Sequence, residues 1–184
     1  MTSLRQAAIA VAVTALTAIA SGAQTPDLSG TWKLNEEAST VDPAVAYAGL
    51  GGNAGVPVTV YITQAKNGTV IVGSDMNTSR ARTYRPGGKS QAPLGNGRIT
   101  MTSRWEAGTL VSEGRDAESG SALKEVLSMS PDGRSLRVEI SVTSDDETSS
   151  STLVYDQARR ESACEDWPTP CKDWSAQESP KPLG

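Results

Sequence analysis

The sequence predicts an all-β fold, an up-and-down antiparallel β-barrel of about eight strands with one short helix after the first strand. Three observations predict it. Apolar and polar residues alternate in short runs through residues 28–157. Turn-forming residues separate those runs at hairpin spacing. The segment is long enough to close on itself, and closure removes the exposed strand edges that template aggregation.

Thr31-Trp32-Lys33-Leu34 opens the periodic region. Asp42-Pro43 then reads as an N-cap with proline at the first helical position, ahead of Ala44-Val45-Ala46-Tyr47-Ala48 and Gly49. A helix of about one to two turns is expected there. Ala44–Tyr47 would form either a lid over one barrel mouth or a surface connection packed by Val45. Val58, Val60 and Ile62 alternate with Thr59, Tyr61 and Thr63 as a half-buried strand, and Asn67-Gly68 turns the chain into Val70-Ile71-Val72. Thr78 to Tyr84 is a polar strand ended by Pro86-Gly87-Gly88. Ile99, Met101, Ser103 and Trp105 alternate with Arg98, Thr100, Thr102 and Arg104, and Glu106-Ala107-Gly108 leads into Thr109-Leu110-Val111. Leu123 to Met129 is followed by the turn Ser130-Pro131-Asp132-Gly133, and then by Leu136, Val138, Ile140 and Val142 in alternation. An acidic, serine-rich turn at 144–150 leads to Leu153-Val154-Tyr155.

Composition excludes several classes of function. The 184 residues carry a net charge of −4 and contain no histidine and no phenylalanine. Without imidazole there is no Ser-His-Asp triad, no Cys-His dyad and no His-ligated zinc. Two cysteines do not make a structural zinc site. An acidic chain is a poor partner for nucleic acid, which needs clustered Lys and Arg. With aromatics at 4%, the core must rest on Val, Leu, Ile and Met.

Residues 1–23 read as a secretory signal peptide: Arg5 ahead of an uncharged Ala/Val/Ile/Leu-rich run, then Ser21-Gly22-Ala23 with small residues at the cleavage positions. The run is short of the ~20 apolar residues a full span needs, so no stable membrane insertion is expected after its removal. Loss of Arg5 leaves 16 basic and 21 acidic residues. A secreted, periplasmic location follows, and in that oxidising compartment Cys164 and Cys171 are expected to form a structural disulfide. The domain is expected over 27–157, with 158–184 a polar, partly disordered tail that holds the disulfide and two Asp-Trp pairs.

Asp27-Leu28-Ser29-Gly30-Thr31-Trp32-Lys33-Leu34-Asn35 resembles the opening of bacterial secreted lipocalin-like proteins, a calycin-type β-barrel family. Trp105-Glu106-Ala107-Gly108-Thr109-Leu110, Leu127–Leu136 and Leu153-Val154-Tyr155-Asp156 are similar to that family's later hairpins and closing strand. Gly30-Thr31-Trp32 also fits the lipocalin G-x-W motif, whose Trp closes the barrel floor beneath an Arg after the last strand. Arg159 or Arg160 stands in that place here, within reach of a cation–π contact. The lipocalin T-D-Y motif is missing. The resemblance implies a lipocalin-like barrel able to hold a small apolar molecule, and it covers nearly the whole predicted domain.

Gly30, Trp32 and Arg159 are therefore the expected structural residues. Trp105, Arg80, Arg82, Tyr84 and Tyr47 are the expected ligand-binding residues. Arg80, Arg82 and Tyr84 lie at period two, hence on one face of a strand. Facing inward, their guanidiniums would hold an anionic head group through bidentate hydrogen bonds. Facing outward, they would be a solvated surface, as would Arg98 and Arg104. The cluster Asp145-Asp146-Glu147 lacks a calcium-loop pattern and reads as a solvated turn. No catalytic or metal site and no cofactor is expected. The function predicted is that of an exported barrel binding a small hydrophobic or amphipathic ligand, not an enzyme, in a cavity of several hundred Å³. The alternative is a filled barrel serving as a structural or protein-interaction module of the cell envelope.

Overall fold

The computed structural model describes residues 25–46, 48–50, 55–75, 77–145 and 147–159, and the side chains of all of these except 77–80 and 159. The cysteines, the leader and most of the tail lie outside this range, as does Tyr47.

Ten antiparallel strands form one sheet: β1 (Gly30–Leu34), β2 (Thr59–Gln64), β3 (Val70–Ser74), β4 (Asn77–Tyr84), β5 (Lys89–Leu94), β6 (Gly97–Glu106), β7 (Thr109–Arg115), β8 (Ala122–Met129), β9 (Ser135–Ser144) and β10 (Glu147–Arg159). The hydrogen-bonded order is β4-β3-β2-β1-β10-β9-β8-β7-β6-β5. First and last strands pair, so the meander curls into a nearly closed barrel. Its one unlaced seam lies between β4 and β5, which are consecutive in the chain. The turn between them is docked onto β6, where the Gly87 amide donates to the Ser103 carbonyl at 2.8 Å.

The barrel has ten strands rather than eight. β5, Lys-Ser-Gln-Ala-Pro-Leu, lacks the alternation that marks a strand, and Pro93 argues against one. It is held by β6 on one side only, where a proline is tolerated. The acidic turn is also shorter than expected. Glu147 and the Ser/Thr run 148–152 belong to β10, because cross-strand hydroxyl pairs such as Ser141–Ser150 (3.1 Å) and Thr143–Thr148 (2.9 Å) stabilise a polar ladder.

The helix expected after β1 is absent among the described residues. Asp42 caps a single turn, with the Ala44 amide bonded to its Oδ1 at 2.8 Å. The bonds then go Val45 and Ala46 to the Asp42 carbonyl and Ala48 to that of Val45, and Gly49 turns with φ 57°. The turn ends at Gly49, whose left-handed φ leaves the helical path and whose amide turns to the Pro93 carbonyl, while Val45, Ala48 and Leu50 reach the core (0%, 3% and 8% exposed). The connection is pinned beside β10 through the Thr40–Thr152 bridge and beside β5 through the Gly49 amide on the Pro93 carbonyl at 3.2 Å.

The core is the barrel interior. Alternate residues of each strand supply it, among them Trp32, Val60, Ile62, Tyr84, Met101, Leu110, Leu127, Leu136, Leu153 and Tyr155. Gly30 shows why glycine begins the G-x-W motif. Its φ of 146° is closed to other residues, and the β1–β10 register shifts between Thr31 and Trp32 immediately after it. Trp32 is fully buried in the core, with Nε1 donating to the Leu28 carbonyl at 3.0 Å.

Candidate functional site

An ionic cluster sits inside the barrel. Arg82 and Tyr84 project inward from β4, as period two requires, and Glu125 projects inward from β8 between Leu123 and Leu127. Arg82 Nε and Nη2 both donate to Glu125 Oε2, at 3.0 and 2.6 Å. Tyr84 OH donates to Glu125 Oε1 at 3.0 Å. The guanidinium also lies over the Tyr84 ring, 4.3 Å from its centre.

The remaining donors of Arg82 reach toward the seam. Nη1 lies 2.9 Å from the Thr83 carbonyl, 3.2 Å from Ser90 Oγ and 3.2 Å from the Gln91 carbonyl. Nη2 also reaches Ser112 Oγ at 3.4 Å, and Ser103 donates to Ser112 at 3.0 Å. One side chain thus ties β4 to β5 where no backbone ladder does. Burial opposes the guanidinium charge, yet the Glu125 carboxylate and the Tyr84 oxygen outweigh it, so Arg82 holds its proton more firmly than an ordinary arginine. Burial, and then the negative charge of Glu125, push the Tyr84 phenol far up. A buried ion pair of this kind adds no stability over well-packed apolar side chains of similar volume. Its presence points to specificity instead.

The connection after β1 closes over this cluster. A Cβ on Gly49 would stand 2.3 Å from Glu125 Oε1, so only glycine lets the backbone rest on the carboxylate. Throughout the interior, Trp32, Val60, Tyr84, Met101, Leu123, Glu125, Leu127 and Leu153 have no exposure at all. Val45, Ala48 and Leu50 of the connection pack into the same core, so among the described residues the mouth on that side is taken up by side chains. Two concavities among the described residues are open to solvent on the outside. One, of about 630 Å³, lies between Pro26, Ala107, Gly108, Met129, Pro131 and Gln157. The other, of about 280 Å³, lies over the seam and is flanked by Arg85, Lys89 and Arg98.

Of the expected ligand-binding residues, the structure brings Arg82 and Tyr84 together. Trp105 stands apart on the inner face of β6, half-buried against the core. Its Nε1 is buried with no hydrogen-bond partner among the described residues. The side chains of Arg80 and Arg159, and Tyr47 with Cys164 and Cys171, fall outside the description. Arg98 and Arg104 face solvent, the latter paired with Glu106 and, at 2.6 Å, with Glu113. Sequence reasoning missed Glu125. The signal was present, since Leu123, Glu125 and Leu127 share one phase and an acid on the apolar phase of a strand asks for a buried cation. Among the described residues no group of three or more Asp, Glu, His or Cys is placed to hold a metal.

No protein-family model matches this sequence, and no curated protein sequence does. Solved structures do match the fold. The Echinococcus granulosus fatty-acid-binding protein 1 superposes with a TM-score of 0.51 at 17% identity, over 71% of this chain and 97% of that one. The zebrafish ileal bile acid-binding protein, solved with cholic acid, gives 0.47 at 14% identity over 71% and 98%. A secretory abundant heat soluble protein from Ramazzottius varieornatus gives 0.47 at 14% identity over 71% and 95%. The structural neighbours are thus calycin-type barrels of the fatty-acid-binding-protein kind, and at such identities the likeness establishes the fold alone.

Proposed function

We propose that this chain is an exported, non-enzymatic barrel that binds one small hydrophobic or amphipathic ligand. The observation that carries the reading is a set of polar groups among apolar side chains: the buried Arg82–Glu125–Tyr84 cluster and, on the half-buried Trp105, a buried Nε1 with no hydrogen-bond partner among the described residues. A few placed polar groups among apolar side chains are the usual make-up of a ligand pocket, and an orphaned buried donor is rare in a finished core. The fold's neighbours support it, since their names speak of fatty acids and a bile acid. In this reading the ligand takes the space of Val45, Ala48 and Leu50, which fill the mouth from a connection rather than from a strand. The leader-like segment 1–23 supports export to the periplasm.

A filled barrel acting as an envelope interaction module is the second reading, and the absence of interior exposure favours it. Hydrogen exchange separates the two. If the connection is a displaceable cap, amides of residues 42–50 exchange faster than those of β8 and β9, and a bound amphipathic probe changes their rates. Exchange of 42–50 as slow as the central strands, with no uptake of a fluorescent fatty alcohol or ester, refutes the ligand-binding reading.

A further inference from the structure

We propose that Glu125 is a built-in occupant of a carboxylate-binding site made by Arg82 and Tyr84, and that it turns the interior against ligands bearing an acid group. The second half rests on the ligand-binding reading above; the first does not. Three donors converge on one carboxylate: Arg82 Nε and Nη2 on Oε2, and Tyr84 OH on Oε1. A guanidinium and a hydroxyl aimed together match the geometry by which a free carboxylate is recognised. All three donors come from β4, two residues apart, while the acceptor arrives from β8 on another part of the barrel wall. Glu125 thus stands where the head of an acidic ligand would stand.

The donor side is anchored without it. Arg82 Nη1 is held by the Thr83 and Gln91 carbonyls and by Ser90, and these contacts owe nothing to β8. Removing the Glu125 carboxylate therefore leaves a positioned, uncompensated cation beside a phenol, with the volume of the lost side chain in front of them. In the native chain an acidic ligand would have to set a second carboxylate beside Glu125 away from water, with a single guanidinium to neutralise both. Like charges so placed do not both stay ionised. A neutral ligand meets no such obstacle, and Trp105 Nε1, a buried donor without a partner among the described residues, suits a hydroxyl, ester or amide oxygen.

The test is chemical rescue. The full chain carrying Glu125→Ala is melted in sodium acetate and in sodium chloride at equal ionic strength, beside the native protein and Arg82→Met/Glu125→Ala; acetate carries the carbon and carboxylate that the substitution removes. Acetate should raise the Tm of Glu125→Ala by roughly 5 °C or more over chloride and leave the other two unmoved. Should Glu125→Ala not fold in chloride, its refolding yield is read instead, and acetate should restore it. An equal response to both salts, or a native protein that responds as strongly as the variant, overturns the carboxylate site. Uptake of a dansyl-labelled fatty acid and of its methyl ester tests the ligand class. The native chain should take the ester and refuse the acid; equal uptake of both overturns the specificity. Rescue by acetate with no uptake of either probe by the native chain upholds the site and sinks the ligand-binding reading, so the two fail separately.

Discussion

Replacing Glu125 by leucine should be among the most damaging single changes in the barrel. The carboxylate is fully buried and Arg82 is 6% exposed, so Glu125→Leu strands a guanidinium away from water. It also deprives Tyr84 OH of its acceptor. Breaking one side of a buried ion pair costs about 3–5 kcal/mol. For a domain of this size that lowers Tm by roughly 10–20 °C. Urea unfolding followed by far-UV circular dichroism measures it. The cost belongs to the uncompensated charge rather than to lost attraction. Arg82→Met/Tyr84→Phe/Glu125→Leu should therefore return to within about 1.5 kcal/mol of the native chain, since apolar groups of similar volume replace such clusters well. A single mutant costing under about 1 kcal/mol would refute the account of the cluster. So would a triple mutant no more stable than Glu125→Leu.

Gly49→Ala should cost about 2–4 kcal/mol, combining left-handed strain at φ 57° with a Cβ placed 2.3 Å from a pinned carboxylate oxygen; a loss below about 0.5 kcal/mol in urea unfolding would mean the connection does not rest on Glu125. Gly114→Ala should cost a similar amount, because its Cβ would lie 2.3 Å from the Thr100 carbonyl oxygen and 2.8 Å from Met101 Sδ, so β6 and β7 would have to part; guanidinium unfolding checks it, and a neutral result counts against that close approach. At alkaline pH, burial and then the charge of Asp75 hold the Tyr155 phenol well above its usual range, and burial with Glu125 does the same to Tyr84. The unfolded chain gives up those protons near pH 10 while the folded chain keeps them. Stability should be full below about pH 10 and fall as pH rises from there toward the raised native values. Tyr155→Phe should flatten part of that fall in melts taken between pH 9 and about 11.5, and an unchanged slope would show that Tyr155 does not titrate on unfolding.

Alternation made most of the wall legible. The strands around Val60, Met101, Leu127, Val138 and Leu153 each place an inner face against water on the outer one, and that contrast is written in the residues themselves. β5 was not legible, because what holds it is a neighbour far along the chain rather than its own composition. The connection after β1 misled for a related reason: Asp42-Pro43 does start a turn, but the chain leaves it at Gly49, whose amide is taken by the Pro93 carbonyl of distant β5. For the site, the shared face of Arg82 and Tyr84 could be read from spacing, and their inward direction could not. The deciding residue, Glu125, lies 43 positions from Arg82, and only barrel closure brings it there. A buried arginine without a visible partner is costly, and the partner was visible only as one acid in the apolar phase of β8.

The central claim, that this barrel takes a small ligand in place of its own cap, is tested most directly by native mass spectrometry of the protein purified from its own source. The account predicts a stoichiometric adduct of one small molecule, identified on denaturation as a neutral amphiphile without an acid group. A bare protein mass, together with no uptake of a fatty alcohol or ester probe by the purified chain, would contradict it.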